Sequence, residues 1–433
     1  MPDRQRPAAA GPVCLIDLDL GAPLPEAPAC ASDGRPYARA AVAVRVHGEL
    51  IGVVDMPVRG ERPDIDELAR LATAAVQERV DDHLCRDGLG PGVYRNGGPP
   101  RCQREHASFL AAAPFVSVVI ATRDGEATLG DCLDALRALD YPSFEVIVVD
   151  NASRRDGVRE LVEARGDVTY VREDRPGLAV AHNRGLEAAR GEIVAFIDDD
   201  VVADPRWLAQ TAKAFAAADD VACVTGLILP AELESPAQLW LDGYWAFGKG
   251  FERRVFDGRR PPGEPLYPFT AGVFGSGANM AFRADALRAM GGFDPGLGAG
   301  SPALGGDDLA AFFGVIAAGH RLVYEPTAVV RHRHRRDYES LRRQAYGYGV
   351  GLTAYLAKTL IDDPRRTLGL TLRAPWALAH IIAPSSPKNA GRPEGLPAEL
   401  QRLERRGMLV GAFAYLRSRH RRRALYLRAG APA

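Results

Sequence analysis

Paired cysteines, a long apolar run and a surplus of charge of either sign are all missing from this sequence. Its six cysteines, Cys14, Cys30, Cys85, Cys102, Cys132 and Cys223, form no C-x-x-C pair. Their spacing therefore points to neither a zinc motif nor a disulfide framework, and they read as ordinary reduced thiols. The best candidate for a spanning helix, "LGLTLRAPWALAHII" at 368–382, is broken by Arg373, Pro375 and His380 and falls short of the ~20 apolar residues required. The opening "MPDRQRPAAAGPV" has no apolar core of the secretory kind, so a cytoplasmic location is expected. A formal net charge of -1 gives no hint of a nucleic-acid partner, and none is expected. Basic character is local: arginine crowds the last hundred residues.

What is present is an ordinary globular composition, 47% hydrophobic and 25% charged over 433 residues, too long for one compact domain of usual size. Residues 1–85 read as a small α+β domain, with strands in "VCLIDLDL" and "ARAAVAVRVHGELIGVVDMPV", hairpin character at His47-Gly48, and one helix opened by Asp64 or Asp66. Residues 86–114, rich in Gly, Pro and Arg, read as a linker. From 115 to 340, nearly continuous apolar strands alternate with amphipathic helices, the pattern of βαβ units around a parallel sheet. Residues 341–433 read as a helical extension with Arg/Leu alternation at 401–428.

Three acidic groups fall at element boundaries of the α/β region: Asp150 after "VIVV", Asp198 to Asp200 after "IVAFI", and Asp307-Asp308 in "GGDDL". Ligands of open α/β sheets sit beyond the C-terminal strand ends, where the first two groups lie. Adjacent carboxylates repel and are costly to desolvate without a compensating cation. In an extended backbone Asp198 and Asp200 face one way and Asp199 the other, which gives a two-point oxygen clamp for a hard cation, Mg²⁺ or Mn²⁺. Taken singly, each group also reads as a solvated strand end, a turn former or a helix start.

The ordered motifs "VSVVIATRDGEATLGDCLDAL", "VIVVDNAS", "GLAVAHNRGL", "IVAFIDDD", "GSGANMAFRADALRAMGGFD" and "GGDDLAAFFGVIAAGHRLVYEP" resemble the family 2 glycosyltransferases over about residues 115–335. The resemblance implies an A-type glycosyltransferase fold, a Rossmann-like mixed sheet flanked by helices, and inverting transfer from a nucleotide-diphosphate sugar. Carried over by motif, Thr122, Arg123 and Asp150 lie where the family holds the nucleoside. Asp198 and Asp200 match its metal and diphosphate pair. Asp307 stands for the family's usual Glu, and Asp308 for its catalytic base. Ala181-His182-Asn183 stands where the family often reads Ala-Arg-Asn, so Asn183 keeps the match while His182 either contacts the nucleotide in part or caps a helix turn.

The run "VVRHRHRR" puts His332 and His334 on one face. A histidine here often completes the metal site in the related pattern, and His334 is the expected ligand; the alternative is a solvated basic strand end. The aromatics Trp240, Tyr244, Trp245, Phe247 and Phe251 lie where acceptor loops usually sit, and read either as a sugar- or lipid-stacking surface or as core. The C-terminal arginines beside "GMLVGAFAYL" fit either an interfacial helix on anionic lipid or a helix docked on the main domain.

The function expected is a metal-dependent inverting glycosyltransferase, cytoplasmic or at the inner face of the membrane. Its donor would be a nucleotide-diphosphate sugar and its acceptor a saccharide, a lipid-linked molecule or a small molecule, in polysaccharide, glycolipid or glycosylated natural-product assembly. Two alternatives stand beside it. A sugar-phosphate nucleotidyltransferase would normally need a phosphate loop that "TRDGEATLG" hardly provides. A non-catalytic nucleotide-sugar sensor or scaffold would not need Asp308.

Overall fold

The computed structural model describes residues 11–245, 247–259, 264–386, 388–389 and 391–429, with side chains through Arg421. Most of the N-terminal stretch read for a secretory signal, part of the Pro/Gly loop at 260–263 and the side chains of the last C-terminal arginines lie outside the described residues.

The first unit is a three-stranded sheet in which β1 (Val13–Leu20) runs parallel to β2 (Arg39–Val46), and β2 antiparallel to β3 (Glu49–Pro57). Alternate apolar residues, Cys14, Ile16 and Leu18 in β1 and Val42, Val44 and Val46 in β2, are buried. They pack under Leu68, Ala72, Val80 and Leu84 of two consecutive helices, α1 (Ile65–Ala75) and α2 (Gln77–Arg86). The sequence reads as one helix here. The break falls at Val76, whose φ of -118° and ψ of 15° leave the helical region, and the N-cap is Asp64, which accepts from the Glu67 amide. At the β2–β3 turn both His47 (φ 54°) and Gly48 (φ 83°) are left-handed, the requirement of a tight mirror-image turn.

Within 86–114 the chain forms a helix, α3 (Arg101–Leu110), that its polar sequence does not announce. Tertiary contacts hold it: buried His106 joins Asp140 at 2.9 Å and Lys213 at 3.1 Å, and Phe109 and Leu110 pack against the main core.

The main sheet has nine strands: β4 (Val116–Thr122), β5 (Phe144–Asn151), β6 (Val168–Glu173), β7 (Ile193–Asp198), β8 (Val201–Ala203), β9 (Val221–Pro230), β10 (Arg254–Phe256), β11 (Asn279–Arg283) and β12 (Arg321–His332). Their order is β10-β12-β9-β11-β7-β4-β5-β6, with β8 paired to β12. Strands β7, β4, β5 and β6 are mutually parallel, while β11 is antiparallel to both of its neighbours. This is the Rossmann-like mixed sheet that the resemblance implies. All seven residues of β4 and all ten of β9 are buried, because helices cover both faces and leave no polar side to alternate with. The helices are α4 (Glu126–Arg137), α5 (Gly157–Glu163), α6 (Leu178–Ala188), α7 (Trp207–Ala216), α8 (Pro236–Trp245), α9 (Ala284–Ala289) and α10 (Asp307–Ala317).

Three long helices follow: α11 (Tyr338–Asp362), α12 (Arg366–Ile382) and α13 (Ala398–Ala429). Helices α11 and α13 touch at backbone distance, since a Cβ at Gly349, Gly407 or Gly411 would overlap the facing helix's carbonyls. Small residues at a four-residue spacing allow this approach. Helix α12 buries no residue completely, yet Arg366 lies over the Phe313 ring and Arg373 over Phe269, so these two arginines turn towards the main domain.

Candidate active site

Strand β7 is buried from Ile193 to Ile197 and emerges at Asp198, so the apolar run delivers its acidic tip to the sheet edge. Strand β8 begins three residues later and pairs with the end of β12, with Val201 opposite His332. The ladder continues as the Arg333 amide donates to the Asp200 carbonyl at 3.0 Å. This register brings His332 Nε2 to 3.3 Å from Asp200 Oδ1 and 3.9 Å from an Asp198 carboxylate oxygen. Asp198, Asp200 and His332 each present a ligand atom, and these atoms lie within 4.8 Å of one another. Asp200 Oδ1 is buried and accepts no hydrogen bond, as expected of an oxygen aimed at a cation.

His334, the histidine expected in this role, is not in that group. Its ring lies beside His332, Nδ1 to Nδ1 at 3.2 Å, and its Nε2 is 3.8 Å from Asp242. Phe247 covers both imidazoles, with ring centroids at 5.4 and 5.5 Å. The two histidines do share a face, but β12 ends at His332, so His332 alone is set by the ladder against β8.

Asp199 turns the other way, accepting a hydrogen bond from the Thr122 hydroxyl. Gly125 makes room for this pair, because a Cβ there would overlap both side chains. Asp150 is buried and already accepts from the Ser153 amide at 3.0 Å, the Tyr170 hydroxyl at 2.7 Å and Arg172 at 2.7 Å. Burial alone would raise its pKa, but these hydrogen bonds outweigh burial and hold it below the usual carboxylate value. Arg123 is exposed beside Thr122. Asn183 is not gathered with these groups: its amide clamps the backbone of Phe293, accepting at 2.8 Å and donating at 2.7 Å. His182 is buried against Phe196 and Phe293, with Nδ1 3.6 Å from Asp307.

Asp307 and Asp308 open α10 behind Gly306, which is left-handed at φ 84°. Gly306 and Gly305 pack on the backbone of Gly351 in α11 so closely that a Cβ on Gly351 would overlap Gly305. The C-terminal helices thus help set the position of this loop. Asp308 accepts from the Gly277 amide at 3.0 Å and from the Leu309 amide at 2.8 Å, while Asp307 is buried.

The electrostatics join these pieces. Desolvation, then the charges of Asp200, Asp199, Asp307 and Asp308, raise the Asp198 pKa well above its ordinary value. Desolvation also pushes Asp199 up to about 6 despite its hydrogen bond from Thr122. Asp308 is pushed up to about 6 by desolvation and by Asp307, and Asp200 is raised chiefly by desolvation, against the pull of Arg335. His332 falls to about 3, first because it is desolvated and then because of His334 and Arg335, so its imidazole is neutral. A neutral imidazole beside under-compensated carboxylates suits a divalent cation.

Of the two readings of the aromatic cluster, core is the one its packing favours. Tyr244 is buried with Ala237, Leu241, Leu341 and Leu400, and Trp240 and Trp245 pack against that cluster. Phe247, over the two histidines, is the member that touches the acidic region.

The sequence model of Glycosyl transferase family 2 matches residues 117–289. A pre-mycofactocin glycosyltransferase from Mycobacterium tuberculosis is 30% identical over 272 residues, 62% of this chain and 52% of the relative. The chain thus spans about half of that relative's length. A glucosyl-dolichyl phosphate glucuronosyltransferase from Haloferax volcanii is 24% identical over 264 residues, 57% of this chain and 80% of that one. Among solved structures, the mannosyltransferase PcManGT from Pyrobaculum calidifontis, in complex with GDP-Man and Mn2+, shares 20% identity over 74% of this chain and 76% of its own, with a TM-score of 0.42. The matched stretch carries Asp150, Asp198, Asp200 and the "GSGAN" turn, and in this part the chain is similar to the family 2 glycosyltransferases.

Proposed function

We propose that this protein is an inverting glycosyltransferase that moves a sugar from a nucleotide-diphosphate sugar to an acceptor hydroxyl. The observation that carries the reading is the convergence of Asp198, Asp200 and neutral His332, with Asp308 close enough to raise the Asp198 pKa. Asp198, Asp200 and His332 would hold Mg²⁺ or Mn²⁺. When bound, the cation supplies Lewis-acid neutralisation of the charge that develops on the leaving diphosphate. His334 would support His332 from behind rather than bind the cation.

Inversion by direct displacement requires the acceptor hydroxyl to lose its proton as it attacks. Asp308 is the base in this reading. Two backbone amides fix its carboxylate, and a pKa of about 6 leaves it ionised at neutral pH while still basic enough to take a proton. Asp307 and His182 form the wall beside it. On the nucleoside side, Thr122 and Asp199 shape the floor, Arg123 is free to reach a ligand, and Asp150 acts through Tyr170 and Arg172, which it orients. Asn183 positions the Phe293 loop instead of touching the donor.

The surface supports a membrane-associated acceptor. Leu368, Leu372, Trp376, Leu378 and Ile382 form an exposed stripe on α12, and Leu409, which is 87% exposed, Phe413 and Leu416 form one on α13. No helix among the described residues is long and apolar enough to cross a membrane. Stripes of this kind suit a helix lying in the interface, here at the inner face of the cell membrane.

The test is a panel of nucleotide-diphosphate sugars screened for thermal stabilisation with Mn²⁺ or Mg²⁺, and with EDTA as control, since donor binding raises stability by mass action. One or more donors should raise the Tm with metal and not with EDTA. No stabilisation by any donor would count against the reading.

A further inference from the structure

The N-terminal unit holds a second cluster that the catalytic reading does not use. His47, at the left-handed β2–β3 turn, His83 and Asp87, at the end of α2, and Cys102, in the first turn of α3, meet with one ligand atom each, all within 4.8 Å of one another. His47 Nδ1 lies 2.8 Å from Asp87 Oδ2, 3.3 Å from His83 Nε2 and 3.4 Å from Cys102 Sγ, and His83 Nε2 is 3.4 Å from Asp87 Oδ2. We propose that His47, His83, Asp87 and Cys102 form a closed four-ligand site for a structural Zn²⁺.

Three features favour a metal over an accidental hydrogen-bonded cluster. First, tetrahedral zinc with ligand bonds of about 2.0–2.3 Å puts its ligand atoms roughly 3.3–3.7 Å apart, the range of three of the four separations above, while the His47–Asp87 pair is closer at 2.8 Å. Second, the outward atom of each of the three ligands other than Cys102 is engaged. His47 Nε2 meets the Tyr94 carbonyl at 2.7 Å, His83 Nδ1 faces Glu49 at 3.5 Å, and Asp87 Oδ1 accepts from the Cys102 amide at 2.8 Å. Such partners orient metal-binding imidazoles and carboxylates. Third, the side chains of His47, His83 and Asp87 are only 3–4% exposed, and His47 adopts a φ of 54° that a non-glycine residue rarely takes. One thiolate, two imidazoles and one carboxylate form a donor set that suits zinc better than Mg²⁺ or Ca²⁺.

The spacing of the cysteines conceals this site, because its ligands come from three separate elements and only one is a cysteine. Four protein ligands leave no open position, so the role is structural. The site ties the turn, α2 and α3 together. The same turn meets the main domain, with Gly48 against Arg206 and Arg45 Nη2 2.6 Å from Asp204.

The test is metal analysis of tag-free full-length protein purified from zinc-supplemented cells, with Cys102→Ser, His83→Ala and Asp198→Asn beside the wild type. One zinc per chain is expected in the wild type and in Asp198→Asn, with loss in Cys102→Ser and His83→Ala. Should His83→Ala fail to fold, cobalt reconstitution of the wild type still decides. A thiolate-to-cobalt charge-transfer band, absent in Cys102→Ser, supports the site. Folded wild-type protein holding far less than one zinc per chain and giving no such band would overturn it, as would full zinc retention by Cys102→Ser.

Discussion

His332 Nε2 lies 3.3 Å from Asp200 Oδ1 across the pairing of β8 with β12, and this contact separates the two histidines of the "RHRHRR" run. His332→Ala should weaken metal-dependent donor binding by at least about tenfold, the scale on which metal-site partners act. His334→Ala should cost less, because His334 meets His332 and Asp242 and is not in the group of ligand atoms formed by Asp198, Asp200 and His332. Calorimetric titration with Mn²⁺ and donor compares them, and an equal or larger loss in His334→Ala would reverse the assignment.

The clustered carboxylates also predict how stability responds to pH. Asp199 and Asp308 have folded pKa values of about 6, above the roughly 4 expected unfolded. The folded state therefore binds their protons more tightly. That contribution is fully present below about pH 4 and is lost as pH rises through about 6. In EDTA this part of the Tm profile should fall between about pH 4 and 6, and Asp199→Asn should flatten it. A profile identical in Asp199→Asn and wild type would show that the cluster carries no such linkage.

Gly351 lies on α11, yet it packs on Gly305 and Gly306 directly before Asp307 and Asp308. Gly351→Ala inserts a methyl group where no space exists, an overpacking change that typically costs about 1–3 kcal/mol. It should shift the α10 loop and lower kcat more than it raises the donor Kd, because it displaces Asp308 and not the aspartate pair on β7. Unchanged kcat in a folded Gly351→Ala protein would detach the C-terminal helices from catalysis.

The exposed stripe on α12 predicts membrane association. Leu372→Ser combined with Trp376→Ser removes two side chains that are 61% and 55% exposed, so folding should survive. Co-sedimentation with anionic phospholipid vesicles should fall markedly in the double variant. If binding persists undiminished, α12 is not the contact.

Much of this architecture could be read from residue patterns, and the failures have physical causes. The apolar strands ending in Asp150 and Asp198 were legible because a buried parallel strand is a continuous apolar run that stops where it meets water. Helix α3 was not, since "RCQREHASFL" has no apolar periodicity and is held by His106 against Asp140 and Lys213, contacts far apart in sequence. His332 and His334 are equivalent on a strand, and only the β8 register tells them apart. Asn183 matched a motif, but its amide is occupied by the Phe293 backbone, a partner 110 residues away. The His47 cluster was invisible for the same reason, as four ligands from three elements make no local pattern.

The central claim is that Asp308 takes the acceptor proton while Asp198, Asp200 and His332 hold the metal and diphosphate. The most direct measurement is steady-state release of nucleoside diphosphate from the best-stabilising donor, with and without Mn²⁺, by the wild type and Asp308→Asn, alongside the donor Kd of each. The account predicts that Asp308→Asn lowers kcat by about 10²–10⁴-fold with the metal-dependent Kd nearly unchanged. Full turnover by Asp308→Asn, or wild-type turnover indifferent to Mn²⁺ and EDTA, would contradict it.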